Sequence, residues 1–122
     1  MRQCFLKILW VTVLVLVLLV SSVYPAIEAT IGDILQNKDR YDGEEVSVSG
    51  TVSKLKFKTS KSGNDYTTFS LIGDSGGSIN VFIWGQSKLK AGQKAKVTGI
   101  YRKVKKVGRY TFYNEIEAVE IK

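Results

Sequence analysis

Apolar and polar residues alternate most clearly through residues 66–84, with the sequence YTTFSLIGDSGGSINVFIW. Alternate side chains of a strand share one face, so this pattern predicts a buried apolar side. Its members are Phe69, Leu71, Ile79, Val81 and Ile83. The glycine-rich run at residues 73–77 is typical of a tight turn, because glycine reaches positive φ at little cost. The segment is therefore predicted to be a β-hairpin, with Tyr66, Phe82 and Trp84 on its outward face.

A long first strand is predicted over residues 45–57. Its apolar positions change parity after Val52, and Gly50 precedes the change. A mid-strand glycine followed by a change of parity indicates a bulge or a sharp bend, which is what the first strand of a small closed barrel needs. Phe57 continues the apolar pattern and is expected in the core, as is Phe69.

Two further strands and a short helix complete the predicted elements. Residues 94–101 and 110–121 both carry strand patterns. Thr30 and Asp33 have the spacing of a helix N-cap pair, and the apolar residues next to them share one helical face. Residues 31–35 are therefore predicted to form one or two helical turns that cover the end of a barrel.

Five strands, a bent first strand and no long helix predict an all-β chain folded as a small barrel. Its main motifs are VSVSGTV at residues 46–52, FSLIGD at 69–74, GSINVFIW at 77–84 and GQKAKVTG at 92–99. This order resembles the OB-fold of nucleic-acid-binding domains, as in the anticodon-binding domains of class II tRNA synthetases and the single-strand-binding domains of replication protein A. The resemblance implies a five-stranded Greek-key OB-fold barrel. It also implies that the ligand lies across strands two and three, between the loops that join strands one–two and four–five.

The N-terminal residues 1–29 have the pattern of a secretory signal peptide, or of a signal anchor helix if they are not cleaved. A positively charged start precedes an uninterrupted apolar run at residues 8–20, and small residues follow it. Cleavage is predicted after Ala29, with Ala26 as the alternative. It leaves residues 30–122 as a single OB-fold domain.

The same apolar run leaves a membrane anchor open. Extended to Val23, it approaches the roughly 20 apolar residues that span a bilayer. Membrane association through residues 8–23 is therefore the alternative to cleavage. In either case we expect the protein to be exported, so that it is periplasmic, extracellular or anchored to a membrane. None of these patterns specifies an oligomeric state.

Charge and composition narrow the possible functions. The 122 residues include 18 Lys and Arg against 11 Asp and Glu, a net charge of +7, which favours polyanionic partners. Histidine is absent and the single cysteine is Cys4. Residues 30–122 therefore offer no histidine as a base or metal ligand and no cysteine as a nucleophile or metal ligand. No catalytic residue, cofactor or metal site is predicted, and the protein is not expected to be an enzyme.

Two groups of carboxylates are the remaining candidates for acid–base chemistry or metal binding. The group before the long first strand is Asp39, Asp42, Glu44 and Glu45. The group on the last strand is Glu115, Glu117 and Glu120. A solvated turn is the simpler interpretation of the first group, and an exposed face is that of the second.

Half of the basic residues fall in the two segments predicted to be loops beside the hairpin, residues 54–65 and 102–109. They are Lys54, Lys56, Lys58, Lys61, Arg102, Lys103, Lys105, Lys106 and Arg109. With Tyr66, Phe82 and Trp84 as a stacking platform, these cations predict a surface that binds single-stranded nucleic acid or a similar polyanion. A one-residue error in strand register would instead turn the neighbouring aliphatic residues outward.

The alternative function is that of an envelope-associated interaction or structural domain. Its basic face would meet anionic lipid, a glycan or a protein partner. The same residues also have ordinary structural roles, because an outward aromatic residue can pack under a loop and lysines protect exposed strands from aggregation.

Overall fold

The fold is described by a computed structural model of residues 25–122. Six strands and two short helices follow one another in this part of the chain. They are β1 (Ile27–Glu28), α1 (Ile31–Gln36), α2 (Lys38–Tyr41), β2 (Glu45–Thr59), β3 (Asp65–Ile72), β4 (Ser78–Trp84), β5 (Lys94–Val107) and β6 (Tyr110–Ile121). The charged start and apolar run of the predicted signal segment lie outside the described residues. Within residues 25–122, no helix is long and apolar enough to cross a membrane.

Five of the strands close into a ring. β2 pairs with β3, β3 with β4, β4 with β6 and β6 with β5, and β5 returns to pair with β2. The β4–β6 pair is parallel and the other pairs of the ring are antiparallel. The short strand β1 pairs with β2 in parallel, outside the ring. The predicted all-β barrel of five strands is therefore confirmed.

The ring closes because β2 changes partner along its length. Residues 45–51 of β2 pair with β5, and residues 51–59 pair with β3. Gly50 lies next to this change of partner, and a β-carbon there would sit 2.5 Å from the carbonyl oxygen of Ile72. Only glycine allows two backbones to approach this closely, which explains the glycine at position 50.

A β-bulge beyond Gly50 accounts for the change of apolar parity along β2. The register of β2 against β3 shifts between Ser53 and Lys56, and Lys54 has a φ of 53°. An extra residue in one strand turns the side chains that follow it to the opposite face. Of the predicted alternatives, a bulge or a sharp bend, the register shift confirms the bulge.

The hydrophobic core fills the barrel, and α1 covers one end of it. Ile31 and Ile34 of α1 are fully buried, and the backbone N–H of Asp33 donates to Thr30 Oγ1 at 3.1 Å. The predicted covering helix and its N-cap are therefore confirmed. The strands contribute Val46, Val48, Val52, Phe69, Leu71, Ile79, Val81, Ala95, Val97, Tyr101 and Ile116. Ile83, which was predicted to join them, is only half-buried.

The prediction that Phe57 lies in the core is wrong, since its side chain is 51% exposed. Phe57 pairs with the fully buried Thr67 and therefore points to the inner side of the sheet. Beyond the bulge, however, β2 pairs with β3 and no longer with β5, so the wall of the barrel has ended there. Apolar periodicity indicates the face of the sheet on which a side chain lies, but it does not indicate at which residue the wall of the barrel ends.

The second predicted loop, residues 102–109, is mostly strand. β5 continues to Val107 and β6 begins at Tyr110, and the turn between them includes Gly108 with a φ of 59°. A turn glycine between β-branched and aromatic residues favours a hairpin despite the dense positive charge. Residues 104–113 pair only with each other, and this two-stranded extension is here named the arm. Its exposed apolar residues are Val104, Val107, Tyr110, Phe112 and Tyr113.

Replacing Gly50 by alanine is expected to lower the free energy of unfolding by roughly 1–3 kcal/mol, because the added methyl group must displace packed atoms. Gly32→Ala is the matched control, since a β-carbon there meets nothing closer than 3.9 Å and alanine favours the helix. Chemical denaturation gives the free energy of unfolding of both variants and of the wild type. Equal stabilities would contradict the view that the close approach at Gly50 constrains the barrel.

Candidate functional site

The outward face of the β3–β4 hairpin brings the three predicted aromatic residues together. Tyr66 pairs directly with Trp84, and Phe82 lies on the same side of β4. The ring centroids are 5.3 Å apart for Tyr66 and Phe82, 5.0 Å for Phe82 and Trp84, and 6.1 Å for Tyr66 and Trp84. These separations are typical of favourable aromatic packing. The three residues are here named the aromatic cluster.

The members of the aromatic cluster differ in how accessible they are. The side chain of Trp84 is 63% exposed, whereas Tyr66 and Phe82 are half-buried. The Phe82 ring meets Trp84 edge-on, and Lys105 Nζ lies 4.6 Å from the Phe82 ring centroid. Phe82 is therefore a support held on several sides, and the indole of Trp84 is the surface on which a flat ligand can stack.

Lys105 is held over Phe82 by two carboxylates. Its Nζ lies 2.6 Å from a carboxylate oxygen of Glu115 and 3.1 Å from one of Glu117. Burial acts to lower the pKa of Lys105, but the hydrogen bonds to Glu115 and Glu117 outweigh burial and raise that pKa. One lysine and two glutamates leave a formal charge of −1 beside Phe82, so Lys105 is not a free phosphate ligand.

The predicted exposed face of glutamates on the last strand is wrong for Glu115, which is 7% exposed. Glu117 is half-buried and Glu120 is exposed. A carboxylate can be buried at position 115 because Lys105 pairs with it. Lys105 comes from the neighbouring strand β5, so the pattern along β6 alone gives no sign of this burial.

Two lysines without an ion pair in the described chain lie beside the aromatic cluster, on the side of β2. Lys58 pairs with Tyr66 across β2 and β3, and Lys56 pairs with Thr68, which pairs in turn with Phe82. Residues directly opposite in a sheet point to the same side, so both lysines share the face of the aromatic cluster. Neither lysine forms an ion pair with another residue of the described chain.

The other predicted cations do not form one continuous surface. Arg102 lies directly opposite Glu115 in the β5–β6 register and therefore takes the side of that carboxylate, whereas Lys106 is exposed in the arm. Lys103 Nζ binds an Asp39 carboxylate oxygen at 2.7 Å, and this hydrogen bond raises the pKa of Lys103 and lowers that of Asp39. At the bulge or in turns are Lys54, Lys61 and Arg109. The first predicted loop is also mostly strand, because only residues 60–64 connect β2 to β3.

The carboxylates before β2 contact β5. Asp39 pairs with the Lys103 ammonium group, and Asp42 Oδ1 accepts a hydrogen bond from the Lys103 backbone N–H at 3.0 Å. These contacts attach α2 to β5 at the base of the arm. In the part of the chain that the structure describes, no group of three or more His, Cys, Asp or Glu residues is placed to hold a metal ion.

Sequence reasoning missed the polar residues around Trp84. An open surface depression of about 470 Å³ lies at this end of the hairpin and is lined by Asn64, Asp65, Trp84, Gly85 and Gln86. These residues come from the start of β3 and the end of β4, which the hairpin register brings together. They are far apart in the sequence and form no local motif, so only the pairing of Tyr66 with Trp84 gives a signal for them.

The chain matches no protein-family model, and no curated protein matches it. It is similar to a chain in the crystal structure of yeast Stn1 and Ten1, with a TM-score of 0.62 and 15% sequence identity. Together with the order of strands in the ring, this likeness identifies the fold. The barrel is an OB-fold.

The likeness to the yeast structure is limited to the fold. It covers 80% of the present chain, which spans only 62% of the yeast chain. The OB-fold expected from the sequence is therefore confirmed. Its assignment to the tRNA synthetase or replication protein A type, and the exported location, stay predictions.

Lys105→Met is expected to lower the free energy of unfolding by roughly 1–3 kcal/mol, because it leaves the buried Glu115 carboxylate without its partner. Lys106→Met is the matched control, since Lys106 is exposed and forms no ion pair with the described residues. Its effect should stay below about 0.5 kcal/mol. Chemical denaturation at neutral pH gives both values, and equal effects would contradict a pairing role for Lys105.

The raised pKa of Lys105 also predicts a loss of stability in strong base. Below pH 10.5, the pKa of an ordinary lysine, Lys105 is protonated in the folded and the unfolded chain. At higher pH the unfolded chain loses this proton first, so the free energy of unfolding falls until the pH passes the folded pKa. Tyr101 acts in the same direction above pH 10, because burial and the charges of Asp42 and Asp39 raise its pKa.

This pH dependence is measured as the difference in unfolding free energy between the wild type and Lys105→Met. The difference should be constant from neutral pH to about pH 10 and should shrink above it, since the ion pair is lost there. Tyr101 contributes equally to both proteins and cancels. A difference that stays constant up to about pH 12 would show that the Lys105 proton is not linked to folding.

Proposed function

We propose that this protein is an exported OB-fold module that binds single-stranded nucleic acid across its β3–β4 hairpin. The observation that carries the proposal is the exposed indole of Trp84, which stands on the half-buried rings of Tyr66 and Phe82. Lys56 and Lys58 share its face and have no ion partner in the described chain. An accessible ring beside free cations offers base stacking and phosphate neutralisation on one surface.

The proposed binding energy has two sources. Stacking of a base on an aromatic side chain contributes roughly 1–3 kcal/mol and tolerates all four bases. Each phosphate neutralised by a lysine releases counterions, so the affinity falls as the salt concentration rises. The −1 charge of the Lys105, Glu115 and Glu117 group favours a strand whose bases cover Phe82 and whose phosphates lie towards Lys56 and Lys58.

The proposal assigns binding to this surface and no catalysis. The chain has no histidine, and after Ala29 it has no cysteine. The buried carboxylate of Glu115 is paired with Lys105. It is therefore not a free proton acceptor, which a general base must be. Export is proposed from the charged start and apolar run of residues 1–29.

A second candidate is an envelope-associated interaction domain, and the arm is the observation that favours it. Tyr113 is 62% exposed, Tyr110 54% and Val107 51%, which is a large apolar content for an extension that pairs only with itself. A protein partner would cover these residues, whereas anionic lipid or a glycan would meet the lysines. Pull-down from an envelope extract and co-sedimentation with anionic vesicles distinguish this candidate from nucleic-acid binding.

Trp84→Ala is expected to weaken the binding of a labelled single-stranded oligonucleotide by about 5- to 150-fold, the equivalent of one lost stacking contact of roughly 1–3 kcal/mol. Ile72→Ala is the matched control, because Ile72 is 41% exposed on the same hairpin but lies beside its turn. Fluorescence polarisation measures both affinities. Absence of saturable binding by the wild type at low salt would overturn the proposed function.

The double variant Lys56→Ala/Lys58→Ala is expected to bind more weakly and to respond less to salt. For single strands, each neutralised phosphate makes the slope of log K against log salt more negative by about 0.7. The loss of two contacts should therefore make the slope less negative by about 1.4. Lys94→Ala/Lys96→Ala is the control with the same change of charge. Both lysines lie near Asp74 of the β3–β4 turn, at the end of the hairpin away from Trp84. Identical slopes in the two variants would place the phosphates elsewhere.

A further inference from the structure

We propose that the arm is a membrane-contacting element, whose tip enters the interface of a bilayer rich in anionic lipid while its basic residues meet the lipid headgroups. This inference rests on the second candidate function and deepens it, because it names both the surface and the partner. It is independent of nucleic-acid binding, since Trp84, Lys56 and Lys58 all lie outside residues 104–113. A protein is the competing occupant that the test must separate from lipid.

The arm exposes apolar side chains on both of its sides. Phe112 lies opposite Lys105, and its ring centroid is 5.8 Å from Lys105 Nζ on the side of the aromatic cluster. The exposed pair of Val104 and Tyr113 is the next one along the ladder, so it points to the other side. A protein partner covers one side of such a ribbon, whereas the interface of a bilayer surrounds it. The distribution of apolar residues therefore fits a lipid medium.

The tip of the arm has the side chains that suit the headgroup level of a bilayer. Val107 lies opposite Tyr110, and both are more than half exposed. The guanidinium carbon of Arg109 lies 5.3 Å from the Tyr110 ring centroid, and Arg109 Nη2 donates to Tyr110 Oη at 3.2 Å. Tyrosine and arginine both combine an apolar body with a polar end, which lets each of them bridge hydrocarbon and water.

The charge of the arm is of one sign. Residues 104–113 contain three basic residues and no aspartate or glutamate. Lys105 is paired with carboxylates of β6, whereas Lys106 and Arg109 are exposed and form no ion pair with the described residues. Exposed cations next to apolar groups are attracted to anionic lipid, while lysine is depleted at interfaces between proteins. The free charges therefore favour lipid over a protein as the partner.

The N-terminal chain leaves the barrel at the same end as the arm. β1 runs parallel to β2, with Ile27 opposite Val46, so the chain traced backwards from Ile27 passes the start of β2. β5 runs antiparallel to β2, with Ile100 opposite Glu45, so the arm also extends beyond the start of β2. Residues 8–23, the predicted membrane segment, precede β1 in the chain. A bilayer that holds this segment would therefore lie at the end of the barrel from which the arm projects.

The test uses the full chain reconstituted in vesicles of phosphatidylcholine, with or without an equal part of phosphatidylglycerol. A polarity-sensitive fluorescent label is attached at Thr111→Cys in a Cys4→Ser background, which keeps every apolar residue of the arm. Ser75→Cys is the matched control site in the same background, because Ser75 is exposed beside Asp74, which binds Lys94 at the opposite end of β5. In anionic vesicles we expect shorter-wavelength emission, and quenching by spin-labelled lipid, at residue 111 and not at residue 75.

The double variant Lys106→Ala/Arg109→Ala is expected to lower the equilibrium constant for this contact by about 30-fold, the combined effect of two basic residues at an anionic surface. Lys88→Ala/Lys90→Ala is the control with the same change of charge, because both lysines are exposed between β4 and β5 and lie before the start of β5. It should leave the contact nearly unchanged. The equilibrium constant is obtained from the fraction of label at residue 111 that emits at the shorter wavelength.

Three results would overturn the proposal. In the first, residue 111 is as accessible to water as residue 75 in anionic vesicles. In the second, the two double variants lose the contact equally, so that net charge and not the arm decides it. In the third, envelope proteins protect residue 111 and vesicles do not, which identifies a protein as the occupant. None of these results affects the proposed nucleic-acid surface, which the titration of Trp84→Ala tests separately.

Discussion

The pairing of β2 with two different neighbours is the constraint on which this molecule depends. Residues 45–51 face β5 and residues 51–59 face β3, and the change of partner requires the backbone of Gly50 to approach that of Ile72. Without this approach the sheet would remain open and expose two unpaired edges. The turn of the β3–β4 hairpin fixes the register that sets Tyr66 beside Trp84, and the pairing of residues 51–59 with β3 sets Lys56 and Lys58 on the same face. The candidate site therefore depends on the change of partner along β2, because only the second half of this strand carries the two lysines to the hairpin.

The candidate site has an ordered arrangement of charge across its face. Free lysines lie along β2, aromatic rings lie on β3 and β4, and two glutamates on β6 hold Lys105 beside Phe82. A uniformly positive surface would attract any polyanion, with or without bases. Here the positive charge borders the rings and negative charge adjoins them. The surface thus matches a polymer whose charged backbone and flat apolar groups run side by side.

Much of the fold could be predicted from local patterns, because hairpins, caps and bends have sequence signals of their own. The β3–β4 hairpin, the helix that begins after Thr30 and the bulge that follows Gly50 all have such signals. The boundaries between strand and loop in the two basic segments could not be predicted, because lysine occurs in both strands and loops when the residues between the lysines are apolar. The pairs Lys105–Glu115 and Lys103–Asp39 join residues that no motif connects. They decide which cations remain free, so the candidate site could be predicted only in outline.

The arm adds a different property to the molecule. Residues 104–113 pair only with each other, and the Lys103 backbone N–H and the Tyr113 carbonyl oxygen tie the arm's base to Asp42 and Asn80. A two-stranded ribbon of this kind is marginally stable by itself. Lys105 belongs to the arm and binds Glu115 of β6 beside the Phe82 ring, so opening of the arm would break this ion pair as well as the arm's own ladder of hydrogen bonds. The shape of the arm is therefore coupled to the charge beside the aromatic cluster, and a change in one must alter the other.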